Sequence, residues 1–271
     1  LTLMCMLLSI AGLVFFLVTY LLFSELRTIP GVNLMNLGFS TLLAQVTWLT
    51  GVNQTDKPVT CTIVAASLQY FYLVSFMWTS IIAYDTWRAF SSNGHRASPG
   101  SRSEKSRKCL RYMALGWLPC LMFVVICVSL DQTGIVDIGY GFLQFCWMAN
   151  GLAIVYIFAI PVALAIIVDA VFYGLTVKAI KTTASQAQMA AENSKRRGHF
   201  GIYVRLASVM GFTWVFGFGA ALLWSPLWYV FVPLNCLQGV YIAAAFALSD
   251  QAKRLYRELL GIKADEKRNT S

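Results

Sequence analysis

The sequence predicts an all-α membrane protein: a bundle of seven transmembrane helices followed by a short amphipathic helix. Three observations predict it. Of 271 residues, 58% are apolar and only 12% are charged, where a soluble domain has about 45–50% and about 25%. The apolar residues fall into long runs without Asp, Glu, Lys or Arg, and a helix needs about 20 such residues to cross the hydrocarbon core. The basic residues collect on alternate connections. Together these exclude a soluble enzyme, a disordered chain and a collagen-like chain.

The runs place spans at 1–24, 29–52, 60–90, 110–130 and 149–178. Leu206–Ser249 has 44 uncharged residues, too many for one crossing. It divides at Trp224-Ser225-Pro226-Leu227-Trp228, because proline breaks a helix and Trp favours the membrane–water interface. That gives spans six and seven at 203–224 and 228–249, and a bundle over 1–249.

One set of connections (Val52–Thr60, Asp131–Asn150 and Ser225–Pro226) contains a single basic residue, Lys57. The other set holds the remaining 20 of 21 Lys and Arg and is therefore cytoplasmic. The amino end is outside, the carboxyl end inside, and the expected location is the plasma membrane. The net charge of +9 marks topology and contact with anionic lipid. No basic module stands apart from the spans to bind nucleic acid. Asn53-Gln54-Thr55 is a glycosylation sequon on the outer side, whereas Asn269-Thr270-Ser271 falls inside and is expected to be silent. Leu1 already lies within the first run and no basic leader precedes it, so a missing extracellular portion is expected.

Cys61 and Cys146 are the only two cysteines on the oxidising side, and a disulfide between them is expected. It would pin the outer loop over the third span. His95 and His199 lie in inner loops and no His-Glu-x-x-His occurs, against an intramembrane metal hydrolase. No Lys lies between Arg205 and Lys253, against a retinal photoreceptor. Two acids approach the membrane. Asp85 stands three residues before Arg88, either as an ion pair at the interface or as a switch contact facing the cytoplasmic cavity. Asp169 lies in the inner third of span five and needs a partner, for which Arg205 is the candidate. No relay of titratable groups crosses the midplane, against a pump or coupled transporter.

Spans three and six are rich in aromatic residues. These pack between helices or line a cavity open to the outer face. Gln69, Asn235 and Gln238 would be costly against lipid and must point inward. Pro119, Pro161, Pro233, Gly211, Gly217, Gly219 and Gly239 mark places where helices can bend and so hold two shapes. After Ser249-Asp250, a cap, Leu255, Leu259 and Ile262 follow helical spacing with Lys253, Arg254 and Arg257 on other faces. An amphipathic helix over 250–262 on the inner leaflet is expected, then a tail over 263–271.

The local motifs are similar to those of the secretin/adhesion group of G-protein-coupled receptors. They are Leu42-Leu43-Ala44-Gln45 with Gly51, Gln69-Tyr70-Phe71 with Phe76-x-Trp78, Gly116-Trp117-x-Pro119, Cys146-Trp147, Gly211-Phe212-Thr213-Trp214-Val215-Phe216-Gly217 and Asn235-x-x-Gln238-Gly239-Val240. The Asp/Glu-Arg-Tyr triplet and Asn-Pro-x-x-Tyr of the rhodopsin-like group are absent. Trp78…Tyr84-Asp85-x-Trp87-x-x-Phe90 resembles the Methuselah-like branch, while span six resembles adhesion receptors.

The resemblance implies a receptor for a free or tethered peptide agonist, acting on a heterotrimeric G protein, with no enzymatic activity and no cofactor or metal. Its ligand cavity would be Gln69, Tyr72, Phe76, Trp147, Trp214, Phe218 and Gln238. Trp214, Gly217, Gly239 and Pro161 would serve switching and bending, and Asp85, Arg88, Phe90, Lys181 and Arg205 would face the G protein. The Glu of the family's inner polar lock is replaced by Ile82, so Asp85 or Asp169 is expected to substitute. A transporter or channel, and an adhesion anchor without coupling, are the alternatives.

Overall fold

A computed structural model describes residues 2–91, 102–141, 145–184, 213–214, 216–217, 219–220 and 225–260. Among them every regular element is helical, apart from one isolated antiparallel bridge between Tyr140 and Met148. The helices are α1 (Thr2–Leu22), α2 (Ile29–Gly51), α3 (Pro58–Ser91) and α4 (Arg102–Gln132). Then come α5 (Gly151–Ile154), a π turn (Val155–Ala159) and α6 (Ile160–Ala184). The last are α7 (Trp228–Cys236), α8 (Gln238–Ile242), a second π turn (Ala243–Ala247) and α9 (Asp250–Leu259). The segment expected as span six is described at six residues, all helical.

Thr2–Leu22, Pro58–Ser91, Ser103–Gln132 and Gly151–Ile180 are each long and apolar enough to cross a bilayer. Tyr229–Cys236 and Gln238–Ala247, bent by 40°, supply a fifth if they form one span. α2 is more polar because Asn33, Ser40, Thr41 and Gln45 are all buried in its inward face. α4 begins about two turns before the expected 110, at Arg102. Its first turns are charged, which marks where lipid ends and not where a helix must end.

α3 is the central element, packed against α2, α4 and α6, while α1 lies against α2, α7 and α8. In lipid, helices associate through close packing and interhelical hydrogen bonds, since tails are as apolar as leucine. Both devices appear. Ser40 and Ser75 pair hydroxyl to hydroxyl at 3.0 Å between α2 and α3. The Trp117 indole N–H donates to Asn36 Oδ1 at 3.0 Å. Gly116 admits the Trp78 ring, to which an added Cβ would come within 2.6 Å. α9 folds back on α1: its Tyr256 hydroxyl lies 2.8 Å from Thr19 Oγ1, with Ala252 and Leu255 buried. Ser249 caps it, accepting from the Ala252 N–H at 3.4 Å.

Candidate ligand cavity and its supports

The loop between α4 and α5 closes one end of the bundle. Cys61 and Cys146 form a disulfide, and the Cys146 N–H donates to the Val52 carbonyl at 2.9 Å. Asp131 Oδ1 accepts from the N–H groups of Ile138 and Gly139 at 2.8 and 2.9 Å. Gly141 takes φ +88°, and a Cβ there would lie 3.1 Å from the Thr62 nitrogen. Only glycine allows that backbone to approach the start of α3 so closely. The loop thereby delivers Trp147 to the interior.

Beneath the loop, α5 passes into the π turn and Pro161. Proline has no N–H, so the carbonyl four residues back lacks its helical donor. That carbonyl belongs to Ile157, and it accepts from Gln69 Nε2 of α3 at 3.1 Å. Gln69 Oε1 in turn accepts from the Tyr140 hydroxyl, and the Cys127 thiol lies within reach of both. Burial, above all, pushes the Tyr140 pKa well above the usual tyrosine value, so the hydroxyl keeps its proton as donor. The π turn, with its extra residue, brings Phe158 inward, where it is 2% exposed.

Phe158, Tyr72, Phe231 and Phe76 surround Trp214, at ring-centroid distances of 5.1, 5.3, 5.3 and 5.8 Å. Most of these contacts are edge-to-face, which suits the aromatic quadrupole. Above Trp214 lies a cavity of about 490 Å³. Its wall takes Tyr72 from α3, Gln45 and Trp48 from α2, Trp147 from the loop, Gly217 beside Trp214, and Phe231, Asn235 and Gln238 from α7 and α8. Gly217 is forced: a Cβ would stand 2.7 Å from the Phe231 ring. Gln45 Oε1 and Gln238 Nε2 are buried there without a hydrogen-bond partner among the described residues.

Among the residues the sequence marks for a ligand cavity, the structure brings Tyr72, Trp147, Trp214 and Gln238 together on this wall. Gln69 is fully buried in the Ile157–Tyr140 bridge instead, and Phe76 packs under Trp214 without lining the cavity. Phe218 lies outside the described residues. Gly239 packs on α1, its N–H donating to Ser9 Oγ at 2.9 Å. Gln45, Trp48, Phe158 and Phe231 are lining residues the sequence reading did not single out for the site. The polar Gln45, four residues from Thr41 on one helix face, carried a readable signal.

A second cavity, of about 360 Å³, opens at the other end of the bundle and includes Asp85 and Phe90. Asp85 does not pair with Arg88, which is exposed. It accepts instead from Lys108 Nζ at 2.6 Å and the Tyr112 hydroxyl at 2.9 Å, both from α4. One turn of α3 carries Arg88 toward water, while α4 presents a lysine directly. Asp169 accepts from Ser80 Oγ at 2.6 Å. Its expected partner Arg205 and the side chain of Lys181 lie outside the described residues. Asn53 is exposed in the turn between α2 and α3. Among the described residues no group of His, Cys, Asp and Glu is placed to hold a metal.

The model of the family described as "7 transmembrane receptor (Secretin family)" matches residues 1–242. The chain belongs to this family. Among the relatives of this secretin-family chain is the G-protein coupled receptor Mth2 of Drosophila simulans, 28% identical over 92% of this chain and 49% of its own. The Cadherin EGF LAG seven-pass G-type receptor 2 of Rattus norvegicus is 28% identical over 81% of this chain and 10% of its own. The Adhesion G protein-coupled receptor E2 of the same species is 26% identical over 97% and 27%. Methuselah-type and adhesion-type receptors thus both appear, in keeping with the mixed motifs. The chain spans about half the length of the Methuselah-type relatives.

Proposed function

We propose that this chain is the seven-span signalling bundle of a secretin/adhesion-type receptor. A peptide segment, tethered or free, enters the aromatic cavity from outside and drives the inner helix ends apart to admit a heterotrimeric G protein. The observation that carries this is the pair of amide atoms without a partner among the described residues, Gln45 Oε1 and Gln238 Nε2, on the wall of a largely apolar cavity above Trp214. Buried polar atoms are nearly always satisfied, so exceptions call for an explanation. A peptide carries a carbonyl for one amide and an N–H for the other, with apolar side chains for the aromatic rings.

The cavity's closed end rests on Trp214, which among the described residues meets aromatic rings from α3, the π turn and α7. A ligand that displaces this indole moves three elements at once. The second cavity, with Asp85 and Phe90 in its wall, is the docking groove for the G protein. The names of the relatives and the basic residues at that end support this orientation, with the disulfide end outside at the plasma membrane. α9 lies on the inner leaflet: Ala252 and Leu255 face the bundle, while Lys253, Arg254 and Arg257 are exposed to anionic headgroups.

The test is G-protein nucleotide exchange in cells expressing the full-length receptor. Trp214→Ala is expected to lower agonist-driven exchange by roughly a hundredfold, of the order of the loss of a fully buried aromatic contact. Unchanged exchange in that variant removes the switch assignment. Ion or solute flux in liposomes, without any G protein, would replace the receptor reading by a channel or transporter.

A further inference from the structure

The bridge from Tyr140 through Gln69 to Ile157 has no part in the receptor reading, yet it connects the two pieces of chain that build one wall of the cavity. Trp147 comes from the loop and Phe158 from the π turn, and their rings meet at 5.3 Å, edge to face. Trp147 is held by the disulfide and by the hydrogen bond from the Gly141 N–H to the Trp147 carbonyl at 3.0 Å. Phe158 is held by whatever stabilises the π turn. In the low-dielectric core a carbonyl without a donor costs several kcal/mol, and Pro161, four residues on, has no N–H to offer the Ile157 carbonyl.

We infer that Gln69 is a positioning residue for the cavity: its amide replaces the N–H that Pro161 lacks and fastens the π turn to the outer loop. Gln69 suits the task because an amide donates with one end and accepts with the other. Its Nε2 serves the helix carbonyl and its Oε1 serves the Tyr140 phenol. The residue is fully buried in the centre of α3, so it holds this position without water competing for either bond. The cavity wall at Phe158 therefore depends on a side chain that does not itself line the cavity. This inference does not rest on G-protein coupling.

Hydrogen–deuterium exchange of the full chain in lipid nanodiscs reads the backbone directly. Gln69→Leu is expected to raise exchange in the 155–162 segment roughly tenfold, with distant segments of α1 and α2 unchanged. The deciding variant is Gln69→Leu with Pro161→Ala. The alanine restores the missing N–H, so exchange in 155–162 should return close to the level of the parent. If the double variant exchanges as fast as Gln69→Leu alone, or if Gln69→Leu loosens the whole bundle equally, the inference is overturned. Should Gln69→Leu not accumulate as folded protein, the double variant must recover the folded yield; failure to do so overturns it as well. Absence of agonist-driven nucleotide exchange in the parent and the variants alike, with the hydrogen–deuterium exchange pattern as expected, would count against the receptor reading alone.

Discussion

Among the described residues, the α5–α6 and α7–α8 junctions are each tied to a neighbouring helix by a side-chain hydrogen bond. At the α5–α6 junction the break is Pro161, and the repair is Gln69 of α3, bonded to Ile157 and to Tyr140. At the α7–α8 junction the helix bends by 40° below Pro233, and the repair is Ser9 of α1, bonded to the Gly239 N–H. The first repair is two-sided and ends in a loop fixed by a disulfide. The second is the hydrogen bond to Ser9, beside Gln238, whose Nε2 has no partner among the described residues. The difference teaches where a ligand can act: the first junction is clamped to a disulfide-fixed loop, while the second sits on the cavity wall itself. In the proposed mechanism the clamped junction is the fixed wall, and the α7–α8 bend is the part that moves.

Overfilling the second junction should have the largest effect. A Cβ on Gly239 would lie 2.4 Å from both Ser9 O and Ser9 Oγ and 2.7 Å from Leu13 Cγ. Two of these atoms belong to the backbone or to a short side chain with nowhere to swing. Gly239→Val is expected to cost about 3 kcal/mol or more, seen as a lower thermal midpoint or loss of folded receptor at the cell surface. If it proved as stable as the parent, the close α1–α8 approach would be wrong.

Gln69→Leu comes next. It strips partners from the Ile157 carbonyl and the Tyr140 hydroxyl together, at about 1–3 kcal/mol for each buried group. Thermal unfolding of the purified chain measures it. A loss smaller than that of Ser9→Ala would reverse the ranking of the two junctions.

Ser9→Ala removes the bond to the Gly239 N–H and leaves that group without Ser9 Oγ, at about 1–2 kcal/mol. Its sharper expectation concerns function. Freed from α1, the bend should change more easily, so basal nucleotide exchange in cells is expected to rise a few fold, roughly the factor for 1 kcal/mol. Basal exchange at or below the parent's would show that Ser9 does not restrain the switch.

How far these junctions could be read from the sequence differs for a physical reason. Charge-free runs are local, so the apolar helices were legible. The Cys61–Cys146 pair was legible because sidedness left only two candidates. An interruption near Pro161 and one near Gly239 could be expected from residue type, and the inward direction of Gln69 and Gln238 from the cost of facing lipid. The partner of each group was not legible. It depends on the register between helices, which the pattern along one helix does not contain. Asp85 illustrates this: spacing within α3 points to Arg88, whereas packing against α4 supplies Lys108 and Tyr112. Gln69 looked like a cavity residue because its polarity said only "inward", and two kinds of inward position exist, the cavity and the clamp.

The smallest effect is expected from Tyr140→Phe, and it tests how the clamp divides. The substitution removes only the phenol oxygen, leaving Gln69 Nε2 on Ile157 and the disulfide in place. Gln69 Oε1 would lose its donor, and the nearby buried Cys127 thiol is expected to turn and give a weaker S–H bond. The loss should therefore stay near 1 kcal/mol, below that of Gln69→Leu. Adding Cys127→Ala to Tyr140→Phe should enlarge the loss by more than the two separate losses sum to, since together they leave the oxygen with nothing. Additive losses in thermal unfolding would mean that the thiol does not substitute. The loop and the π turn would then be joined through the phenol alone, a narrower link than the clamp described for this junction.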